Sequence, residues 1–361
     1  DGHDVEKVTE ILRTAVSLHE PVIVHLITQK GKGYVPAEEG PQKFHGIGRF
    51  DPESGKALKA GAETFSDVFG KELTALAKED ARVCAVTAAM EYGTGLNWFA
   101  NAHPRRFFDV GIAEEHAVSM AAGMAKQGMI PVAAIYSTFL QRSFDMLLHD
   151  VALQRLHVVF AIDRAGLVGA DGETHQGVYD IAYCLTMPYV EIYSPASKGE
   201  LEEMLKMAVE GDVPAAVRYG KGTLPDRVYP AVEYGKWIEI KPIAKVTVVA
   251  TGRMVEIAER AVENLDVGLV NARFLKPFDT EMMDALLAEG KPLLIYEEVA
   301  AIGGLGSLLQ QYAAERDSKT PVHVLALPDR WIYHGKRREL LRRMDLDAAG
   351  LRKAVRELLG R

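Results

Sequence analysis

Residues 109–125 read DVGIAEEHAVSMAAGMA: two adjacent carboxylates, Glu114 and Glu115, and an imidazole, His116, precede a run of small residues. A carboxyl group backed by small, closely packing side chains can be held rigidly enough to transfer a proton. The same two acids would also suit the first turn of an ordinary helix, where they complement the dipole by a few tenths to about 1 kcal/mol. Three other stretches gather polar groups after an apolar run. In AAIYSTFLQRSFD these are Tyr136, Phe139 and Arg142; in FAIDRAGLVGADGETHQGVYD they are Asp163, Arg164, Asp171, Glu173 and His175; in PAAVRYGKG the run ends at Arg218. Open parallel sheets place ligands beyond the carboxyl ends of their strands, and a pocket needs polar groups from several loops. Taken singly, each residue has a plainer role: His175 as a loop hydrogen-bonder, Arg164 and Arg218 as ion-pair partners, Phe139 as core.

These stretches need a scaffold, and the hydrophobic pattern supplies one. Helical periodicity is expected at 4–18, 64–78, 114–127, 138–153 and 197–209. Strands are expected at 22–28 and near 82–88, 106–110, 131–136, 156–163, 189–193 and 214–219. Strands alternating with helices predict an α/β fold, a parallel sheet covered by helices. The Gly/Pro/charged passages 30–62 and 220–244 are read as irregular connections. After them KVTVVATG, DVGLVNAR, PLLIYEE and VHVLALPD predict a second, smaller α/β unit. AIGGLGSLLQ (301–310) is similar to a phosphate-binding turn but lacks its glycine spacing, so close backbone packing at a strand–helix junction is expected there. The expected division is 1–62, 63–235 and 236–361.

With 361 residues, 48% hydrophobic and 25% charged, the chain is long enough for two or three packed domains. A net charge of −8 argues against general nucleic-acid binding, and no run of about 18 apolar residues predicts a membrane span. Two cysteines, Cys84 and Cys184, without a C-x-x-C partner fit a reducing, cytoplasmic setting. No histidine spacing defines a metal site.

The motifs DVGIAEEHAV, AIYSTFLQRSFDMLLHDVALQ, AIDRAGLVGADGETHQGVYD and AVRYGKG, in this order, closely resemble those of the 1-deoxy-D-xylulose-5-phosphate synthases, a family of transketolase-like, thiamine-diphosphate-dependent enzymes. LITQKGKGY, KFHGIGRFDPESG, RFLKPFD, YEEVAAIGGLGS and LPDRWIYHG extend the resemblance over essentially the whole chain. The resemblance implies a transketolase-like pyrimidine-binding domain over 63–235, a transketolase C-terminal domain over 236–361, and a remnant of the diphosphate-binding domain with its linker over 1–62. It implies decarboxylative joining of pyruvate to D-glyceraldehyde 3-phosphate, a transferase reaction feeding isoprenoid, thiamine and pyridoxal synthesis. The cofactor carries the difficult bond changes. By resemblance Glu114 is the acid facing the aminopyrimidine, Phe139 stacks on it, Arg142 lies beside it, and Lys30 is a further cofactor contact. Arg164 and Arg218 match phosphate-binding arginines, a role suited to forked guanidinium groups. Tyr136, Asp171 and His175 match residues around the substrate and the proton-transfer region. His45 matches a histidine that approaches the reactive carbon.

One departure from the family pattern stands out. The Gly-Asp-Gly…Asn segment that holds thiamine diphosphate through Mg²⁺ is absent from this sequence. The expectation is therefore a fragment or one half of a split enzyme, inactive alone, forming a homodimer and completed by a diphosphate-binding domain on the same or another chain. The alternatives are a β-subunit-like half of a thiamine-dependent 2-oxo-acid dehydrogenase, and a non-catalytic dimerising remnant.

Overall fold

The computed structural model describes residues 1–58, 62–225 and 227–360. They form two compact units, Asp1–Ala62 and Glu63–Arg361.

In the first unit, α1 (Val5–Ser17) starts where the Asp4 side chain accepts from the Lys7 N–H, and none of its residues is buried. The apolar run 22–28, expected as a strand, joins no ladder. A strand needs a hydrogen-bonded neighbour, and this run has only single tethers such as Gly2 N–H to the Ile27 carbonyl at 2.8 Å; Ile23 is 95% exposed. The passage 30–62 is less irregular than its composition suggests. Pro36 in a first turn opens the short helix α2 (Val35–Glu39), and Tyr34, Phe44 and Phe50 form an aromatic cluster.

The second unit contains two sheets. The larger is built from β1 (Val83–Thr87), β2 (Phe107–Asp109), β3 (Ile130–Tyr136), β4 (Val159–Asp163), β5 (Glu191–Tyr193) and β6 (Ala215–Arg218). The smaller begins with β7 (Ile238–Lys241), β8 (Thr247–Ala250) and β9 (Gly268–Asn271). The chain then returns to the larger sheet as β10 (Phe274–Lys276) before completing the smaller with β11 (Leu293–Ala300) and β12 (Val322–Leu327). The seven-stranded order is β10-β5-β6-β4-β3-β1-β2, parallel except for β10; the five-stranded order is β12-β11-β8-β9-β7, parallel except for β7. β1, β3, β4 and β6 are buried throughout, as strands covered on both faces must be.

On one face lie α3 (Phe65–Glu79), α4 (Asn97–Ala102) and later α9 (Lys198–Glu210), with Phe65, Phe69, Leu73, Leu201 and Leu205 in one apolar cluster. On the other, α5 (Glu114–Lys126) brings Ala117, Val118 and Ala121 into a second cluster with Ile135 and Ile162. That cluster continues into Met283 of α11 (Thr280–Ala288) and Leu305 and Leu309 of α12 (Leu305–Glu315). A common core and strand β10 thus cross the boundary expected at 235/236, and β7 lies inside a passage read as irregular. The helix expected at 138–153 is broken. It begins as α6 (Ser137–Leu140), passes through a 3₁₀ turn at Gln141–Ser143 and α7 (Phe144–Met146), and ends as a π-helix at Leu147–Ala152. Further helices are α8 (Asp180–Leu185), α10 (Met254–Val262), α13 (Arg337–Arg343) and α14 (Ala348–Leu358). Among the described residues no helix is long and apolar enough to cross a membrane.

Candidate active site

The carboxyl ends of β3 and β4, together with the start of α5, bring one set of side chains together. Glu114 is the first residue of α5, whose N-cap Ala113 offers no side-chain acceptor. The positive end of the helix therefore favours a carboxylate there. Glu114 is 3% exposed, and its Oε1 accepts from Arg142 Nη1 at 2.8 Å. The break in the helix after β3 places Arg142 in a 3₁₀ turn, three residues beyond Phe139 of α6 and so on the same side of the chain. Its guanidinium accordingly lies over the Phe139 ring, 5.4 Å from the centroid. Phe139 is stacked with Tyr136, with centroids 5.4 Å apart and planes 13° apart, and meets the His175 ring edge-on at 5.5 Å.

Arg164 covers the other face of this group, 4.3 Å from the Tyr136 centroid. Its Nη1 donates to Asp163, to Ser66 Oγ and to the Gly93 carbonyl at 2.6–2.8 Å, while its buried Nε has no partner among the described residues. Its φ of 59° is uncommon for a residue with a side chain and is held by these bonds. Gly93 is required beneath Tyr136, because a Cβ there would lie 2.2 Å from the phenol oxygen. Burial pushes the Tyr136 hydroxyl well above its ordinary pKa, against the pull of Arg164, so it stays a phenol and a hydrogen-bond donor. His175 ends a 3₁₀ turn with Nδ1 2.9 Å from Thr174 Oγ1.

Both carboxylate oxygens of Asp171 lie 2.6 Å from Lys221 Nζ. Arg218, expected at a substrate phosphate, takes part in none of these contacts. It is 7% exposed and its Nε donates to Asp180 at 2.6 Å. Lys221, three residues on in the same RYGKG stretch, is the more exposed cation, and no motif marks it. Nothing in the local sequence marks Ser66 as more than a helix first-turn residue. In the first unit, Lys30 Nζ and His45 Nδ1 are 3.1 Å apart.

Among the described residues no group of three or more His, Cys, Asp or Glu side chains is disposed to hold a metal ion. The phosphate-turn-like segment at 301–310 is filled from within: the Glu297 carboxylate accepts the N–H groups of Leu305 and Gly306, each at 2.9 Å. The site therefore offers a buried acid beside an aromatic ring and a cationic rim, which suits the pyrimidine end of a thiamine cofactor. Among the described residues it shows no counterpart for a metal-held diphosphate.

The profile described as "Transketolase, pyrimidine binding domain" matches residues 62–227, and "Transketolase, C-terminal domain" matches 235–351. The chain belongs to the transketolase family through these two domains. It is 46% identical to the 1-deoxy-D-xylulose-5-phosphate synthase of Clostridium tetani, over 99% of this chain and 59% of that protein. The synthase of Oleidesulfovibrio alaskensis is 43% identical, over 100% of this chain and 59% of the relative. The chain thus spans about three fifths of the length of these relatives. Among solved structures, a split-gene transketolase described as an inactive β4 tetramer superposes with a TM-score of 0.74 at 28% identity, covering 83% of this chain and 99% of that one. The transketolase of Leishmania mexicana has the same fold, with a TM-score of 0.68 at 18% identity over 83% of this chain and 46% of that one.

Proposed function

We propose that the chain is the pyrimidine-binding and C-terminal part of a 1-deoxy-D-xylulose-5-phosphate synthase, joining pyruvate to D-glyceraldehyde 3-phosphate with loss of carbon dioxide. The observation that carries this reading is the run of contacts Glu114–Arg142–Phe139–Tyr136–Arg164, made by residues of the motifs that resemble that family.

When bound, thiamine diphosphate supplies the carbon that attacks pyruvate and holds the electron pair after carbon dioxide leaves. In this reading the Glu114 carboxyl holds a proton at a pyrimidine ring nitrogen, in a place that excludes water. The Phe139 face supports the ring, and Arg142 fixes both Glu114 and Phe139. Arg164 and Lys221 bind the acceptor's phosphate, with Asp171 holding Lys221 in place until the substrate arrives. Arg218 acts indirectly, fixing the far end of the substrate loop through Asp180. His175, beside Phe139, moves a proton to or from the acceptor's oxygen. By the family resemblance, His45 and Lys30 are assigned to the cofactor.

The anchor for the diphosphate and Mg²⁺ comes from sequence outside this chain, and the working enzyme is a homodimer of completed units. The extent of the match, three fifths of each relative, supports the first of these points, as does the split-gene neighbour, which corresponds to 83% of this chain. The test is turnover of pyruvate and D-glyceraldehyde 3-phosphate with thiamine diphosphate and Mg²⁺, with and without a diphosphate-binding partner chain. Product is expected only with the partner and only with the phosphorylated aldehyde as acceptor. Turnover by the chain alone would contradict the need for a partner, and transfer to a lipoyl acceptor would contradict the reaction.

A further inference from the structure

The loop after β4 carries Arg164, Asp171 and His175, and its middle is held by groups of the C-terminal domain. Glu298, on β11, is 7% exposed, and its Oε1 accepts from the Leu167 N–H at 3.0 Å and from Arg337 Nε at 2.7 Å. Its Oε2 accepts from Arg337 Nη2. Arg337 is the first residue of α13, so the guanidinium is presented by a separate element. The backbone beneath is shaped to receive this carboxylate: Gly166 has φ +89°, and a Cβ on it would lie 3.1 Å from the Glu298 carboxyl carbon.

Weaker tethers lie on either side of this contact. The Gly335 N–H donates to the Gly169 carbonyl at 3.4 Å, and the Ala300 N–H to the Val178 carbonyl at 3.1 Å. Gln176 Nε2 reaches the Ile332 carbonyl at 3.5 Å. Of these groups only Glu298 joins a charge on one element to a charge on another while also accepting a loop N–H. Charge-assisted bonds are about twice as strong as neutral ones. Leu167 is 1% exposed, so its N–H would find no water if that acceptor were removed.

We propose that Glu298 is a positioning residue: paired with Arg337, it holds the Leu167 N–H and thereby sets the loop that presents Arg164, Asp171 and His175 to the substrate. The C-terminal domain then acts on the reaction without touching a reacting atom. The functional half of this inference rests on the reaction proposed above; the structural half does not.

Hydrogen exchange on the full chain tests it, comparing Glu298→Gln, which keeps an acceptor oxygen for Leu167, with Glu298→Met, which keeps the volume without the acceptor. The amides of 165–178 are expected to exchange about tenfold faster in the Met variant and within about threefold of wild type in the Gln variant. Protection in α10 and β8 should be unchanged in both. Exchange at the wild-type rate in the Met variant would overturn the proposal. In the enzyme completed by a diphosphate-binding partner, the Met variant should raise KM for D-glyceraldehyde 3-phosphate about tenfold and leave KM for pyruvate within about threefold. An unchanged acceptor KM despite faster exchange would also overturn it. If the wild-type complex shows no turnover, the proposed reaction fails, and the exchange experiment alone decides whether Glu298 holds the loop.

Discussion

Arg142 Nη1 donates to Glu114 Oε1 at 2.8 Å, joining a carboxylate that is 3% exposed to a guanidinium that is 49% exposed. The acid therefore faces the inside of the site while its counter-charge stands at the rim. Replacing Arg142 with Met should leave Glu114 without that partner, but the exposed cation limits the loss. A destabilisation of about 1 kcal/mol is expected by urea unfolding. A loss of several kcal/mol would mean the pair is more deeply structural than its exposure implies.

Arg218 and Lys221 should separate cleanly. The Arg218–Asp180 pair is buried on both sides, 8% and 1% exposed, so Arg218→Met should cost about 3–5 kcal/mol by leaving a buried carboxylate uncompensated. Lys221→Met should change stability little. In the completed enzyme it should raise KM for D-glyceraldehyde 3-phosphate by about tenfold or more, the worth of a lost charge-assisted contact. The reverse pattern, a stable Arg218 variant with a raised KM, would restore Arg218 to the phosphate.

Burial pushes the Glu297 carboxyl up to about 7, against the pull of the Gly306 and Leu305 N–H groups. An acid whose pKa is higher in the folded than in the unfolded chain carries more protons when folded. Its contribution to stability is therefore full below the ordinary value of 4.5 and is lost as pH rises through about 7. Relative to Glu297→Gln, the urea midpoint of the wild type should fall between pH 5 and pH 8. Midpoints that move in parallel would show that the helix N-terminus keeps Glu297 ionised throughout.

Both thiols should be inert in the native chain. Burial pushes the Cys84 thiol up to about 11 and the Cys184 thiol further still, so the thiolate that reacts is scarce near neutral pH. A disulfide reagent at pH 7.5 should modify neither until denaturant is added, and rapid labelling of either would contradict this burial.

The parallel strands were legible because burial on both faces leaves unbroken apolar runs such as VCAVT and IPVAAIY. Run 22–28 has the same composition, yet a ladder needs a neighbour that composition does not reveal. β10 carries no strand signal of its own, since FLK is three residues long and pairs with β5 from far along the chain. The resemblance named Glu114, Phe139 and Arg142, and the fold brings these side chains together. It named Arg218 for the substrate phosphate, and no local pattern shows the pairing of that residue with Asp180. Ser66 and Glu298 act through residues 97 and 131 positions away, a separation that no local pattern encodes.

The most direct test is carbon dioxide release from pyruvate by the partner-completed enzyme carrying Glu114→Gln. A neutral amide of the same shape cannot hold a proton at the pyrimidine nitrogen, so the rate should fall by about a hundredfold or more, with thiamine diphosphate still bound. A rate within threefold of wild type would contradict the role assigned to Glu114.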